Sequence, residues 1–189
     1  MPSTFRIPAA PMDSPAGRVV SAAARRMYGR VPDLVPVMWH HKKLLRAVLA
    51  WEGRVAKWNA LDPHLKSYAV MASAASIGCS WCLDFGYYLA HDEGLDEAKV
   101  RQVPRWRESD VFTPLERDVM SYAEAMSATP PTVTDEQVAG LRAALGDAAL
   151  VELTMMVAVE NQRSRFNFAA GLASQGFSDV CELPLADAR

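Results

Sequence analysis

Between Asp62 and Gly94 the sequence writes out two helices joined at a single glycine, and that junction constrains the fold more than any other stretch. Asp62 is suited to cap the first helix and Pro63 to open it, and Leu65, Tyr68, Ala69, Ala72 and Ala75 recur at helical spacing. Gly78 supplies the left-handed residue that ends such a helix. A second helix starts at Cys79 and Cys82 and runs through Phe85, Tyr88 and Leu89 to a stop at Gly94. Cysteines three residues apart on a helix share a face and are able to close a disulfide. In a first turn they also meet unpaired N–H groups and the positive end of the helix dipole, which favour thiolate.

Redox chemistry at this pair is therefore one reading, and simple packing is the other, since free cysteines are among the most buried residues. Zinc would need two further ligands. Cys181 is remote in the chain, and His40, His41, His64 and His91 show no ligand-pair spacing, so no metal is expected. No strand pattern accompanies the cysteines, so a thioredoxin-like setting is not expected either. Nothing in the sequence points to a cofactor.

The rest of the chain repeats helical punctuation. Ser14-Pro15 opens a helix with Val19, Val20, Ala23 and Met27 on one face, stopped at Gly29. The chain is expected to turn over 32–36 and then to run as one long helix over 37–58. In it Leu44, Leu45, Val48, Leu49, Trp51 and Val55 form the buried side, and the polar run from His40 to Lys43 forms a solvated edge. Asp96 caps a short turn ended by Pro104. Thr113-Pro114-Leu115-Glu116 is a capping box, and Thr134 with Gln137 forms a second. The last long helix starts at Gly146-Asp147. Its first half, from Leu150 to Val159, is apolar nearly all round, as in a helix central to a domain or to a subunit contact. Glu160-Asn161-Gln162-Arg163 then changes its character abruptly.

These patterns predict an all-α fold, a single-domain bundle of seven or eight helices over 14–189, preceded by an extended arm over 1–13. Half of the 189 residues are hydrophobic and the net charge is −2, which gives no ground for a nucleic-acid or membrane partner. Three cysteines argue against a secreted disulfide scaffold. Met1 to Pro11 has no apolar core behind Arg6, so it does not read as a signal peptide, and a cytoplasmic address is expected. Apolar helices beyond what one small domain covers lead us to expect a homo-oligomer.

From Leu65 through Gly171 the chain resembles the carboxymuconolactone decarboxylase family, in its alkyl hydroperoxidase D-like branch. The redox branch carries E-x11-C-x2-C-x3-H after a helix. Cys79 and Cys82 match the two cysteines, and Ile77-Gly78-Cys79 matches the break before them. The family glutamate falls at Ser67 and the histidine at Gly86, so both relay groups are missing. At Gly86, on the same face as Cys82, an empty space is expected where an imidazole would sit. Asp84 and Gly86 fit a variant C-x-x-C-x-D-x-G pattern, and Glu160-Asn161 and Arg165-Phe166-Asn167 also resemble the family.

The resemblance implies an all-helical oligomer and a thiol–disulfide oxidoreductase. Its catalytic residues would be Cys79 and Cys82, its substrate a hydroperoxide or a partner-protein disulfide, and its peroxidase activity weak. The alternative is a relay-deficient member, decarboxylase-like or binding a small molecule. The roles of Asp84, Glu160, Arg163, Arg165 and Cys181 stay open. Asp84 reads first as a helix N-terminal charge, and the Glu160–Arg165 run first as a structural network with a thiol-pocket lining as its alternative.

Overall fold

The computed structural model describes residues 3–178, so Cys181 lies outside the described residues. Nine α-helices follow one another with no strand among those residues: α1 (Pro15–Tyr28), α2 (Leu34–Met38), α3 (Lys42–Val55), α4 (Pro63–Ile77), α5 (Ser80–Asp92), α6 (Glu97–Val100), α7 (Pro114–Ser127), α8 (Asp135–Leu145) and α9 (Asp147–Ala170). The expected all-α fold is what the chain adopts. Both capping boxes form, Thr113 with Glu116 and Thr134 with Gln137, and Asp62 accepts from the N–H groups of His64 and Leu65.

The expected long helix over 37–58 is broken. Residues Trp39–His41 form a 3-10 turn, and His41 leaves the helical region (φ −127°) so that its Nδ1 caps α3 through Leu44 N–H. The expected turn at Pro36 is instead the short α2. A proline fits there because the first turn of a helix has no intrahelical use for its N–H.

The centre of the bundle is α4 rather than α9. It packs against α5, α7 and α9, and it buries Leu65, Tyr68, Ala69, Met71, Ala72, Ser73 and Ala74 around its circumference. Helix α9 turns one side inward through Leu150, Leu153, Met156 and Val157, while Val151 and Met155, one turn apart, face outward. Where α4, α7 and α9 meet, Asn161 Nδ2 donates to the hydroxyls of Ser73 and Ser127, which bond to each other at 2.8 Å. This satisfies polar atoms that would otherwise be costly in the core.

Residues 3–13 contain no helix and are tied to the same chain. Thr4 N–H donates to Gly171 O at 2.8 Å, Ala10 N–H to Pro36 O, and the Arg6 guanidinium to Phe168 O. Gly171 ends α9 at φ 74°, and a Cβ there would stand 2.5 Å from Thr4 Oγ1 and 3.0 Å from Arg6 N. Only glycine allows both the left-handed turn and the close approach of the N-terminal segment.

Candidate dithiol site

Gly78 closes α4 in the left-handed region (φ 83°), and Cys79 follows as the N-cap of α5. Two residues of non-helical backbone, Gly78 and Cys79, thus set the two sulfurs at a helix N-terminus. Cys79 and Cys82 are joined as a disulfide with their Cα atoms 5.3 Å apart, inside the range such bonds span. The Cys82 N–H donates to Cys79 Sγ at 3.2 Å, and the side-chain amide of Asn167 on α9 donates to Cys82 Sγ at 3.3 Å. Each sulfur therefore has one N–H donor that would serve a thiolate once the bond opens. Cys82, at 7 % exposure, is nearer solvent than Cys79 at 2 %.

The pair sits in an apolar cluster separate from the main core. Val37, Ala74, Ala170 and Leu172 pack on it. Trp81 stacks on Phe85, Phe85 on Tyr88, and Phe177 meets all three rings from the C-terminal segment.

Asp84 holds that segment down. It is 3 % exposed; Oδ2 accepts from the N–H groups of Gln175 and Phe177, and Oδ1 from the N–H and hydroxyl of Ser178. Burial alone would push its pKa up, but the hydrogen bonds from Ser178 and Phe177 outweigh it and hold the carboxyl below its ordinary value. With both oxygens committed to 175–178, Asp84 anchors a strap over the first turn of α5. Gln175 continues the strap: its Oε1 accepts from Trp81 Nε1 at 2.9 Å and from Asp33 N–H at 2.7 Å.

The remaining sequence candidates are elsewhere. Arg163 pairs with Glu52 of α3 and, at 3.5 Å, with Glu160; Arg165 donates to Ser127 O and Thr129 Oγ1 at the end of α7. The structural-network reading of these two arginines is the one their contacts match. His91 bonds to Glu97, about 13 Å along α5 from Cys82 at 1.5 Å per residue. Ser67 is a half-buried residue of α4. Among the described residues no group of three His, Cys, Asp or Glu side chains is arranged to hold a metal.

The space expected at Gly86 is narrowed by Met71. A Cβ there would stand 3.2 Å from Cγ of Met71, which is 1 % exposed on α4. Close approach of the Met71 side chain on the central helix crowds this position. Gly86→His is therefore expected to destabilise the fold by roughly 1–3 kcal/mol through overpacking, measured as a lower urea midpoint at unchanged slope. A stability equal to the wild type would mean that Met71 yields.

Sequence reasoning did not single out Asn167 or Ser164 as site residues. Both are buried polar side chains in the second half of α9, and Ser164 donates to Glu160 Oε1 at 2.6 Å. Their signal was polar residues recurring every three to four positions along one face, from Glu160 through Ser164 to Asn167.

Glu160 is 2 % exposed, and burial raises its pKa from 4.5 to about 7 against the pull of Arg163 and Ser164, with Glu52 adding to the rise. Between these values the folded protein holds a proton that the unfolded chain has released. The stability this contributes is full below 4.5 and is lost as pH rises through about 7. Glu160→Gln is expected to remove that slope and to stabilise the protein at mildly alkaline pH by roughly 1–3 kcal/mol. Urea midpoints at acid, neutral and alkaline pH read this, and a variant with the wild-type slope would contradict it.

Residues 42–125, which hold the cysteine pair and its flanking helices, match the model of the carboxymuconolactone decarboxylase family. The Escherichia coli protein YnjA is 33% identical over 165 residues, covering 85% of this chain and 87% of YnjA. The chain belongs to the carboxymuconolactone decarboxylase family. Solved structures with the family's helical fold extend the likeness over nearly all of it. The debrominase Bmp8 in complex with 2,3,4-tribromopyrrole is 19% identical, covers 94% of this chain and 96% of its own, and superposes with a TM-score of 0.80. An alkylhydroperoxidase AhpD core, a peroxidase-related protein from Ralstonia eutropha JMP134, is 16% identical, covers 89% and 93%, and has a TM-score of 0.75. At these identities the two structures speak for the fold.

Proposed function

We propose that this protein is a thiol–disulfide oxidoreductase whose catalytic residues are Cys79 and Cys82, with weak hydroperoxide-reducing activity. The observation that carries the reading is the pair itself: two sulfurs at bonding distance on a helix N-terminus, each facing one N–H donor. Cys82, the more exposed of the two residues, attacks. Its thiolate bonds to the distal oxygen of a hydroperoxide, the O–O bond breaks, and the alkoxide takes a proton to leave as the alcohol. The Cys79 thiolate then displaces hydroxide from the Cys82 sulfenic acid, closing the disulfide and giving water. A dithiol reductant returns the pair to its starting state. The family's glutamate and histidine are replaced by Ser67 and Gly86, which supports slow turnover: general acid–base relays are worth roughly a hundred- to ten-thousand-fold.

The same reading takes the protein as a cytoplasmic homo-oligomer that uses no cofactor, metal or nucleic acid. Exposed Val151 and Met155 on α9 and Leu44 and Leu49 on α3 support self-association. No helix among the described residues is long and apolar enough to cross a membrane.

A second reading draws on the aromatic wall of Trp81, Phe85, Tyr88 and Phe177 beside the sulfurs. Reductive removal of bromide from an aromatic ring takes up the two electrons that a dithiol releases on becoming a disulfide. A ring substrate would have rings to stack on. The test is turnover of an alkyl hydroperoxide and of a brominated pyrrole with a dithiol reductant. Hydroperoxide loss in the wild type but not in Cys82→Ser supports the first reading. Bromide release without hydroperoxide loss replaces it with the second, and inactivity toward both sinks the enzymatic reading.

A further inference from the structure

Asn167 lies in the Arg165-Phe166-Asn167 run that resembles the family but outside the cysteine pattern on which the dithiol reading rests, and it is the side chain from another helix that bonds to a sulfur of the pair. It is 3 % exposed, and its Nδ2 lies 3.3 Å from Cys82 Sγ. Its position is doubly fixed. The backbone carbonyl of Asn167 accepts from Leu172 N–H at 2.9 Å where α9 ends, and Ala170, one turn on, is fully buried against the cysteine cluster. A rigid helix end thus aims an amide at one atom.

We propose that Asn167 is a catalytic residue, whose side-chain amide stabilises the Cys82 thiolate in place of the relay group missing at Gly86. A disulfide sulfur is a weak hydrogen-bond acceptor and a thiolate is a charged one, so the N–H bond strengthens when the disulfide opens. When an incoming dithiol's thiolate bonds to Cys79 Sγ, the Cys79–Cys82 bond breaks. Its electron pair goes to Cys82 Sγ, which leaves as a thiolate facing the Asn167 amide. The second thiol of the reductant then resolves the mixed disulfide, and its proton passes to Cys79. In the forward direction the same amide keeps Cys82 deprotonated for attack on a hydroperoxide.

Among the described residues, charged groups of α5 and α9 are engaged elsewhere. Asp84 on α5 is closed over by Gln175, Phe177 and Ser178, and Glu160 on α9 bonds to Ser164 and Arg163. Arg6 donates to Phe168 O, and Arg30 donates to Gln175 O. The side-chain donor that reaches Cys82 Sγ is an uncharged amide.

The inference rests on the dithiol reading, but its test does not require turnover. In a Cys79→Ser, Cys181→Ser background the single thiol is Cys82, and serine keeps an N-cap oxygen at position 79. Thiolate absorbance near 240 nm is followed against pH, with Asn167 intact and with Asn167→Ala or Asn167→Asp. We expect the Cys82 pKa to rise by about one unit in Asn167→Ala. It should rise further in Asn167→Asp, which keeps the shape and places a negative charge at the sulfur. A residue that only filled space would leave the Ala variant titrating like the parent, whereas the rise in the Asp variant reports its nearness to the sulfur. Identical titration in all three proteins overturns the role of Asn167 while leaving the dithiol reading standing. A raised pKa in the Asn167 variants, together with a wild-type protein that never oxidises, would sink the dithiol reading and leave the amide–thiolate contact intact.

Discussion

Asp84→Ala is expected to destabilise the fold by about 3 kcal/mol, the scale for hydrogen bonds to a charged group whose buried partners are left unpaired. Three of the four donors it releases are backbone N–H groups, at Gln175, Phe177 and Ser178, and the fourth is the Ser178 hydroxyl. The loss should reach the sulfurs. Phe177 covers Trp81 and Phe85, and Gln175 bonds to Trp81, so releasing the strap opens the cluster in which Cys79 and Cys82 are buried. A thiol reagent should therefore label the reduced variant faster than the wild type. The pH dependence has a definite sign. Because the folded-state pKa of Asp84 is depressed, its contribution is fully present above the unfolded value, near 3.8, and is lost as pH falls through the lower folded value. The wild type should lose stability below about pH 4 more steeply than Asp84→Ala. Equal stability and equal labelling would show that the strap is held by something other than Asp84.

Replacing Cys79 or Cys82 with serine is expected to lower hydroperoxide turnover at least a hundredfold, because an attacking thiol and its resolving partner act as a unit whose parts are not additive. The two variants should fail differently. Cys82→Ser removes the attacking sulfur, so peroxide should oxidise no thiol of the pair. Cys79→Ser keeps an N-cap oxygen at the start of α5, so it should fold normally and stall as a sulfenic acid on Cys82. Trapping with a sulfenic-acid reagent separates the two. A trapped adduct on Cys79 in the Cys82→Ser protein would reverse the assignment of the attacking thiol.

How much of this was legible in the sequence depended on how local the physics is. Caps and stops are local, and Asp62, Thr113, Thr134, Gly29 and Gly78 all stand where the expected helices begin or end. The disulfide geometry followed from spacing plus a helix start, both within a few residues. The break at His41 was not legible, because a histidine ring capping α3 competes with a helical pattern that runs through it unchanged. Gly86 was misread for the opposite reason. Its helical face was assigned correctly, but what occupies that face is Met71, fifteen positions earlier on another helix. Asp84 was legible as a carboxylate near the thiols, yet its partners lie over ninety residues away, and only tertiary structure reveals an anchor. Asn167 was hidden likewise: it is eighty-five positions from the sulfur it touches.

The central claim is that Cys79 and Cys82 form a reversible redox couple in solution. The most direct measurement is the free-thiol count of the fully reduced protein before and after one equivalent of hydroperoxide under denaturing quench. The sequence has three cysteines, so the account predicts a fall from three free thiols per chain to one. Peptide mapping should place the new bond between Cys79 and Cys82, and a dithiol should restore all three thiols. A count that stays at three, or that falls without a bond between these two residues, would contradict it.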